Sequence, residues 1–215
     1  MAEIDSFAWP PDPIRTERLL LRAPEARDRA AFVELLSSPE VHAYLGGPGD
    51  RDRLERELPQ VPGRPGTFAV DLGGQMIGLV EVKRAGGHGR PAAEGKAELG
   101  YLFLPRAWGR GYATEACAAV LGWLGRVLPG EPVLLTTQTA NAASMRLAAR
   151  LGFAEVERFH AWGAEQWLGE RPPAAPRPAE RVPAAQPEDG VSPSGALSPA
   201  AEPPSEGAPS PEDVA

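Results

Sequence analysis

The hydrophobic and polar positions along the chain alternate between two periods, and the order of those periods predicts the architecture. Ile14-Arg15-Thr16-Glu17-Arg18-Leu19-Leu20-Leu21-Arg22 reads as a first strand. Pro24 then opens a helical stretch in which Phe32, Leu35 and Leu36 share one face, ending near Ser38-Pro39. A shorter helix starts at Asp50, a residue type favoured at helix N-caps, with Leu54 and Leu58 four residues apart. Pro59, Pro62 and Pro65 close it.

Two β-rich runs, Thr67 to Leu72 and Gln75 to Val82, are joined by Gly73-Gly74. A two-residue hairpin turn needs positive φ at both positions, which glycine supplies. A Gly-containing connection from Arg84 to Ala97 leads to a strand from Glu98 to Leu104, stopped by Pro105. Tyr112 to Val127 is the clearest helix: Ala113, Ala116, Cys117, Val120, Leu121, Leu124 and Val127 keep the spacing of one buried face. A β-branched strand follows at Val133 to Thr139, then a helix from Asn141 to Leu151 with Gly152 as its C-terminal stop. Ala154 to Phe159 and Ala164 to Leu168 form a last strand pair. This order predicts a mixed sheet in an α/β or α+β domain.

After Leu168 the periodicity ends, and composition changes the picture. Twelve of the 25 prolines fall between Arg171 and Ala215, and all 14 aromatic residues lie before that segment. It holds three arginines against seven acidic residues, with Ser192-Pro, Ser198-Pro and Ser210-Pro among Ala and Glu. Such a segment cannot bury a core. The expected organisation is therefore an extension over residues 1–13, a domain over 14–170, and a solvated tail over 171–215. A chain of 215 residues suits one such domain plus an appendage.

Several function classes fall away. The single cysteine, Cys117, permits no internal disulfide and no Cys-based zinc site, and His42, His88 and His160 lack ligand spacing, so no metal is expected. Cys117 itself falls on the apolar face of its helix and reads as a small core residue. No apolar run approaches a membrane span, and the start MAEIDSFAWPP lacks the basic and apolar regions of a signal peptide. A net charge of −7 offers no basic footprint for nucleic acid. A cytoplasmic protein acting without membrane or nucleic acid is the expectation.

The informative segment runs from Glu98 through Gly109 and Gly111 to Ala116. A strand enters a short Gly-containing loop that leads straight into the strongest helix. The first turn of a helix presents unpaired N–H groups and the positive end of its dipole, which together suit a phosphate or pyrophosphate. Arg110 adds a positive charge at the rim. Two nucleotide motifs do not fit. Gly109-Arg-Gly111-Tyr-Ala-Thr114 has Thr where the dinucleotide fingerprint needs Gly or Ala, and Gly95-Lys96-Ala97 lacks the Ser or Thr that follows a P-loop lysine.

With those residues in view, the chain resembles the GNAT-superfamily N-acetyltransferases, most nearly the RimJ/RimL-type branch that modifies amino groups. The resemblance covers residues of about 14–170 and rests on four stretches: Ile14 to Arg22, Trp108-Gly-Arg-Gly-Tyr-Ala-Thr-Glu-Ala116, Asn141-Ala-Ala-Ser144, and Leu151-Gly-Phe153. It implies a central, mostly antiparallel sheet, twisted and splayed, flanked by helices. It also implies acetyl-CoA as cosubstrate, a primary amine as acceptor, and a possible homodimer.

The family's pyrophosphate loop reads Gln/Arg-x-x-Gly-x-Gly/Ala. Two registers match it here, Arg106 to Gly111 and Trp108 to Ala113, and the second meets the helix at Tyr112. By resemblance, the cofactor is held by Tyr101, Leu102 and Phe103 along the strand, by Gly109, Arg110, Gly111, Tyr112, Ala113 and Thr114 at the loop and helix start, and by Asn141. The tyrosine that many relatives carry seven residues after the Asn is Ala148 here, and the glutamate five residues before it is Thr136. The catalytic candidates are then Glu98, as base or relay anchor, and Ser144, as hydrogen donor toward the sulfur. Each has a plainer reading: Glu98 as a solvated or ion-paired strand residue, Ser144 as a residue that only caps or solvates its helix. A non-catalytic acyl-CoA-binding module on the same fold is the alternative function, and a protein acting through its tail is a third.

Overall fold

The computed structural model describes residues 9–85 and 91–173. The expected tail from 174 onward, and His88, lie outside the described residues.

Eight strands form one sheet in the order β1-β2-β3-β4-β5-β6-β8-β7. They are β1 (Ile14–Arg15), β2 (Leu20–Arg22), β3 (Thr67–Leu72), β4 (Gln75–Arg84), β5 (Ala97–Phe103), β6 (Val133–Gln138), β7 (Ala154–Ala161) and β8 (Ala164–Arg171). Every neighbouring pair is antiparallel except β5 with β6. The helices are α1 (Arg29–Ser37), α2 (Arg51–Glu57), α3 (Tyr112–Val127) and α4 (Ala142–Arg150). The mixed, mostly antiparallel sheet with flanking helices is the expected fold class.

The sheet has two apolar faces. On one, Ala97, Leu99 and Phe103 of β5 pack with Ala116, Cys117, Val120, Leu121 and Leu124 of α3 and Leu147 and Ala148 of α4. On the other, Phe32 and Leu35 of α1 pack on Ala69, Met76, Leu79 and Leu104. Successive strand residues point to opposite faces, so odd-numbered β5 residues face α3 and even-numbered ones face away. Cys117 is fully buried and its thiol is pushed well up by that burial, which agrees with a core role. Trp9 stacks edge-on against Phe68, 5.0 Å between ring centres, so part of the N-terminal extension touches the sheet.

The first strand differs most from its sequence reading. Ile14 to Arg22 is not continuous: it folds into a narrow hairpin pairing Ile14 with Leu21 and Arg15 with Leu20. The turn closes on Thr16, whose N–H donates to Leu19 O at 3.0 Å and whose hydroxyl oxygen accepts from Leu19 N at 2.9 Å. A Ser or Thr hydroxyl that bonds nearby backbone competes with the strand ladder in this way. The remaining elements keep their expected order, but the last strand pair runs longer than expected, to Ala161 and Arg171, because β8 stays paired along β6 as far as Val133 with Arg171. Asp50 accepts from Arg53 N at 2.7 Å as the N-cap of α2. Gly73 and Gly74 take φ of 61° and 90° in the β3–β4 turn.

A buried charge cluster joins the early elements. Arg22 donates to Asp28 at 2.7 and 2.9 Å and to Asp71 at 3.0 Å, all three being nearly inaccessible to solvent. Burial alone would lift the Asp28 carboxyl. The bonds from Arg22 and from the Glu25 amide outweigh it and hold the group below its usual range.

Candidate active site

The site begins where two parallel strands part. β5 and β6 pair only at Ala97 with Val133 and Glu98 with Leu134. Beyond that point β6 continues along β8, from Leu135 with Gly169 to Gln138 with Gln166. β5 continues along β4, up to Phe103 with Gly78. The edges of Tyr101, Leu102 and Phe103 that face β6 therefore have no partner strand there. A gap with an open backbone edge suits an extended, amide-containing ligand.

The loop after β5 leads into α3 at one end of this gap. Gly109 and Gly111 adopt φ of 72° and 79°, a region costly for other L-residues. Gly111 is the N-cap of α3 and has no side chain to close it. The first amide bonded within the helix is that of Glu115, to Gly111 O at 3.1 Å. The amides of Tyr112, Ala113 and Thr114 are thus left without helical partners, at the positive end of the helix dipole. The loop, including Arg110, is exposed.

Arg18, a residue that the sequence reading passed over, braces the loop. It donates to Arg110 O at 3.0 Å and to Glu115 Oε2 at 2.7 Å, and its guanidinium lies 4.6 Å from the Tyr112 ring centre. Thr16 adds a hydrogen bond to Glu115 Oε1 at 2.5 Å. Burial would lift the Glu115 carboxyl, but the Thr16 and Arg18 bonds keep it below the ordinary value. A first-turn acid would complement the helix dipole by itself; tied to Arg18 it also fixes the β1–β2 turn against the loop. Trp108, which stands where the family motif has Gln or Arg, donates from Nε1 to Phe103 O at 2.7 Å and leaves half its surface exposed.

Asn141 and Ser144 lie at the start of α4. The Asn141 side chain accepts from Ser144 N at 3.1 Å, so it is an N-cap residue. The Ser144 hydroxyl is buried against the Tyr101 hydroxyl, to which it is hydrogen bonded. Tyr101 enters the site through its side chain as well as its backbone, which the sequence reading did not anticipate. Its phenol is pushed up to about 12, chiefly by burial. It therefore keeps its proton near neutral pH.

Glu98 is on the other face. Its parity on β5 is opposite to that of Tyr101, and it lines a cleft of about 370 Å³ with Thr136, Thr137 and Gln138 of β6, Gln166 of β8 and the α1–α2 connection at Tyr44 and Leu45. Lys83, opposite Glu98 in the β4–β5 ladder, approaches it to 3.4 Å. Glu98 is thus ion-paired and also faces an open cleft. Glu98 and Ser144 do not form an adjacent acid–base pair, because the sheet lies between them. Thr136 lies in the cleft and Ala148 is buried, so neither position supplies the missing acid or base. Among the described residues no group of three or more His, Cys, Asp or Glu could hold a metal, and no helix is long and apolar enough to cross a membrane.

Comparison with known proteins agrees with this geometry. Residues 18–154 match the family model described as an acetyltransferase (GNAT) domain. The chain is 28% identical over 156 residues to the uncharacterized protein YkkB of Bacillus subtilis, covering 68% of this chain and 88% of that one. It is 25% identical over 150 residues to the uncharacterized N-acetyltransferase YoaA of the same organism, covering 65% and 81%. Among solved structures, the aminoglycoside acetyltransferase AAC(6')-Ib in complex with coenzyme A shares the fold, with a TM-score of 0.58 at 18% identity, covering 72% of this chain and 94% of that one.

Proposed function

The chain belongs to the GNAT family of acetyltransferases, and we propose that it transfers the acetyl group of acetyl-CoA directly to a primary amine in a ternary complex. The acceptor classes of this reading are a protein N-terminus, as in the RimJ/RimL-type branch, and a small-molecule amine. The domain limits of 14–170 and a homodimer belong to the same reading. The observation that carries it is the parting of β5 from β6 beside an uncapped α3 N-terminus, with a carboxylate on the far side of the gap.

In this reading the pyrophosphate sits on the amides of Tyr112, Ala113 and Thr114, with Gly109 and Gly111 allowing close approach and Arg110 at the rim. The arm of the cofactor runs along Tyr101, Leu102 and Phe103, past Asn141, and presents its thioester between the two faces. The amine nitrogen attacks the thioester carbonyl carbon; the new C–N bond forms as the C–S bond breaks. An amine of ordinary pKa near 10.4 is protonated at neutral pH, so its proton must leave first. A carboxylate is a far weaker base than an amine, so Glu98 anchors a water relay that passes this proton to solvent. The second N–H proton, released as the amide forms, leaves by the same route. A backbone N–H of β5 near Phe103 steadies the carbonyl oxygen as it gains charge.

The departing sulfur meets Ser144, with the Tyr101 hydroxyl behind it. A thiol ordinarily titrates near 8.5, far below a phenol held at about 12. Full proton transfer from Tyr101 to a thiolate is therefore uphill by several pH units. The Tyr101–Ser144 pair donates a hydrogen bond to the sulfur, and solvent supplies the proton afterwards.

Two measurements test the reading. Saturating acetyl-CoA should raise the melting temperature, since a ligand bound only by the folded chain stabilises it. Thiol release from acetyl-CoA should then depend on an added amine across a panel of small amines and N-terminal peptides. Stabilisation without turnover on any amine would move the chain to the non-catalytic acyl-CoA-binding alternative, and no stabilisation would remove both.

A further inference from the structure

The cleft on the Glu98 face has a composition that selects among amines. Six large hydrophobic residues are exposed among the described residues, and three of them, Tyr44, Leu45 and Trp162, converge on this one cleft, with Phe159 beside them. Exposed apolar surface gathered in a concave site marks a place where an apolar ligand body is buried. Trp162 is also the one non-glycine residue with positive φ, 52°, among those described. It sits with Gly163 in the two-residue turn joining β7 and β8, where Gln166 donates to Ala161 O at 3.2 Å and holds the turn. The two-residue hairpin requires that φ at both positions, and with tryptophan in the first of them a large exposed ring stands at the rim of the cleft.

Charge narrows the choice further. Of the described residues lining the cleft, Glu98 and Lys83 alone belong to the charged residue types, one of each sign. Lys83 Nζ and Glu98 Oε2 are 3.4 Å apart, and the carboxylate is the deeper of the two, at 15% side-chain exposure against 45% for the lysine. A polycation would need several carboxylates and finds one, beside a lysine that repels it. A ligand carrying one ammonium and one carboxylate on the same carbon matches both sign and spacing. Its ammonium falls on the deeper group, toward the β5–β6 gap, and its carboxylate toward the mouth. The volume of about 370 Å³ is at the small end for ligand sites.

Resting on the acetyl-transfer reading above, we propose that the acceptor is a small zwitterionic amine with an aromatic or large apolar body, an aromatic α-amino acid, bound with its ammonium on Glu98, its carboxylate on Lys83 and its side chain between Tyr44, Leu45, Phe159 and Trp162. Lys83 is then a specificity-determining residue, and the multiply charged aminoglycosides fit this cleft poorly despite the shared fold.

The test uses the full chain with saturating acetyl-CoA and four acceptors: L-phenylalanine, L-phenylalaninamide, phenylethylamine and the aminoglycoside ribostamycin. The expected kcat/KM is at least tenfold higher for phenylalanine than for the amide or phenylethylamine, with ribostamycin giving no turnover. Lys83→Gln should raise the KM for phenylalanine at least tenfold more than the KM for phenylethylamine, which separates carboxylate recognition from a general loss of folding. Equal effects of Lys83→Gln on both acceptors, or a preference for the amide or ribostamycin, overturn the proposal. Turnover on N-terminal peptides but not on phenylalanine also overturns it and leaves acetyl transfer standing. Failure of acetyl-CoA to bind removes both.

Discussion

The two sides of the β5–β6 gap are built from different materials. On the α3 side, the groups offered to a ligand are backbone: amides at the helix start, an open strand edge, and glycines holding left-handed turns. On the cleft side they are side chains: Glu98, Lys83 and a rim of aromatic and aliphatic groups from three separate segments. A backbone site recognises what every ligand of its class shares, here phosphate and amide, and is indifferent to most substitutions. A side-chain site can be rewritten one residue at a time. In the proposed reading, the difference separates cosubstrate recognition from acceptor recognition.

A substitution in the shared frame should damage both sides together. Asp28→Asn leaves Arg22 buried with one partner fewer, a change that typically costs about 3–5 kcal/mol. Chemical denaturation should show that loss, with acetyl-CoA and acceptor binding falling in parallel. The same cluster sets an acid limit. Because the folded-state pKa of Asp28 lies below the unfolded value of about 3.9, its contribution is complete above that value and is lost as pH falls through the folded one. The wild type should lose stability across this window, and Asp28→Asn should lose less.

Gly111→Ala separates the two sides. The added Cβ meets Arg18 Nη2 at an ordinary 3.5 Å, so the cost is conformational, from φ of 79°. Roughly 1–2 kcal/mol for an L-residue there should weaken acetyl-CoA binding by about tenfold, read by calorimetry. Acceptor preference should be unchanged. A shift in acceptor preference with cosubstrate affinity intact would break the comparison.

Tyr101→Phe is the smallest effect. It deletes the hydrogen bond to Ser144, worth about 1 kcal/mol, and should lower kcat a few-fold with little change in acetyl-CoA affinity. Its pH signature is more specific. The folded phenol titrates near 12 rather than about 10, so its stabilising contribution is whole below about 10 and disappears as pH rises toward 12. Alkaline melting curves should show that loss in the wild type and not in Tyr101→Phe.

The β5–α3 side was legible in the sequence because it is local. Strand, loop and helix from Glu98 to Ala116 are consecutive, and Pro105, the glycines and the apolar stripe of α3 mark each boundary. Its brace was not: Arg18 and Glu115 are 97 residues apart, joined only after the opening segment turns on Thr16. The run Ile14 to Arg22 carries β-compatible residues throughout, and a hydroxyl closing a turn leaves no mark on periodicity. Ser144 and Tyr101 were both singled out, but their contact across 43 residues follows from helix placement. The cleft was the least legible part. It is assembled from the α1–α2 connection, two strand ends and a hairpin tip, and no periodicity marks Trp162 as an exposed residue of positive φ. Lys83 and Glu98 become neighbours through the β4–β5 register alone.

The most direct test of acetyl transfer across this gap is amine-dependent thiol release from saturating acetyl-CoA, compared between the wild type and Glu98→Gln. The account predicts acceptor-dependent release in the wild type, a fall in kcat of about a hundredfold or more in Glu98→Gln as expected for loss of a general-base relay, and equal acetyl-CoA affinity in both. Equal acceptor-dependent rates in the two proteins would contradict it.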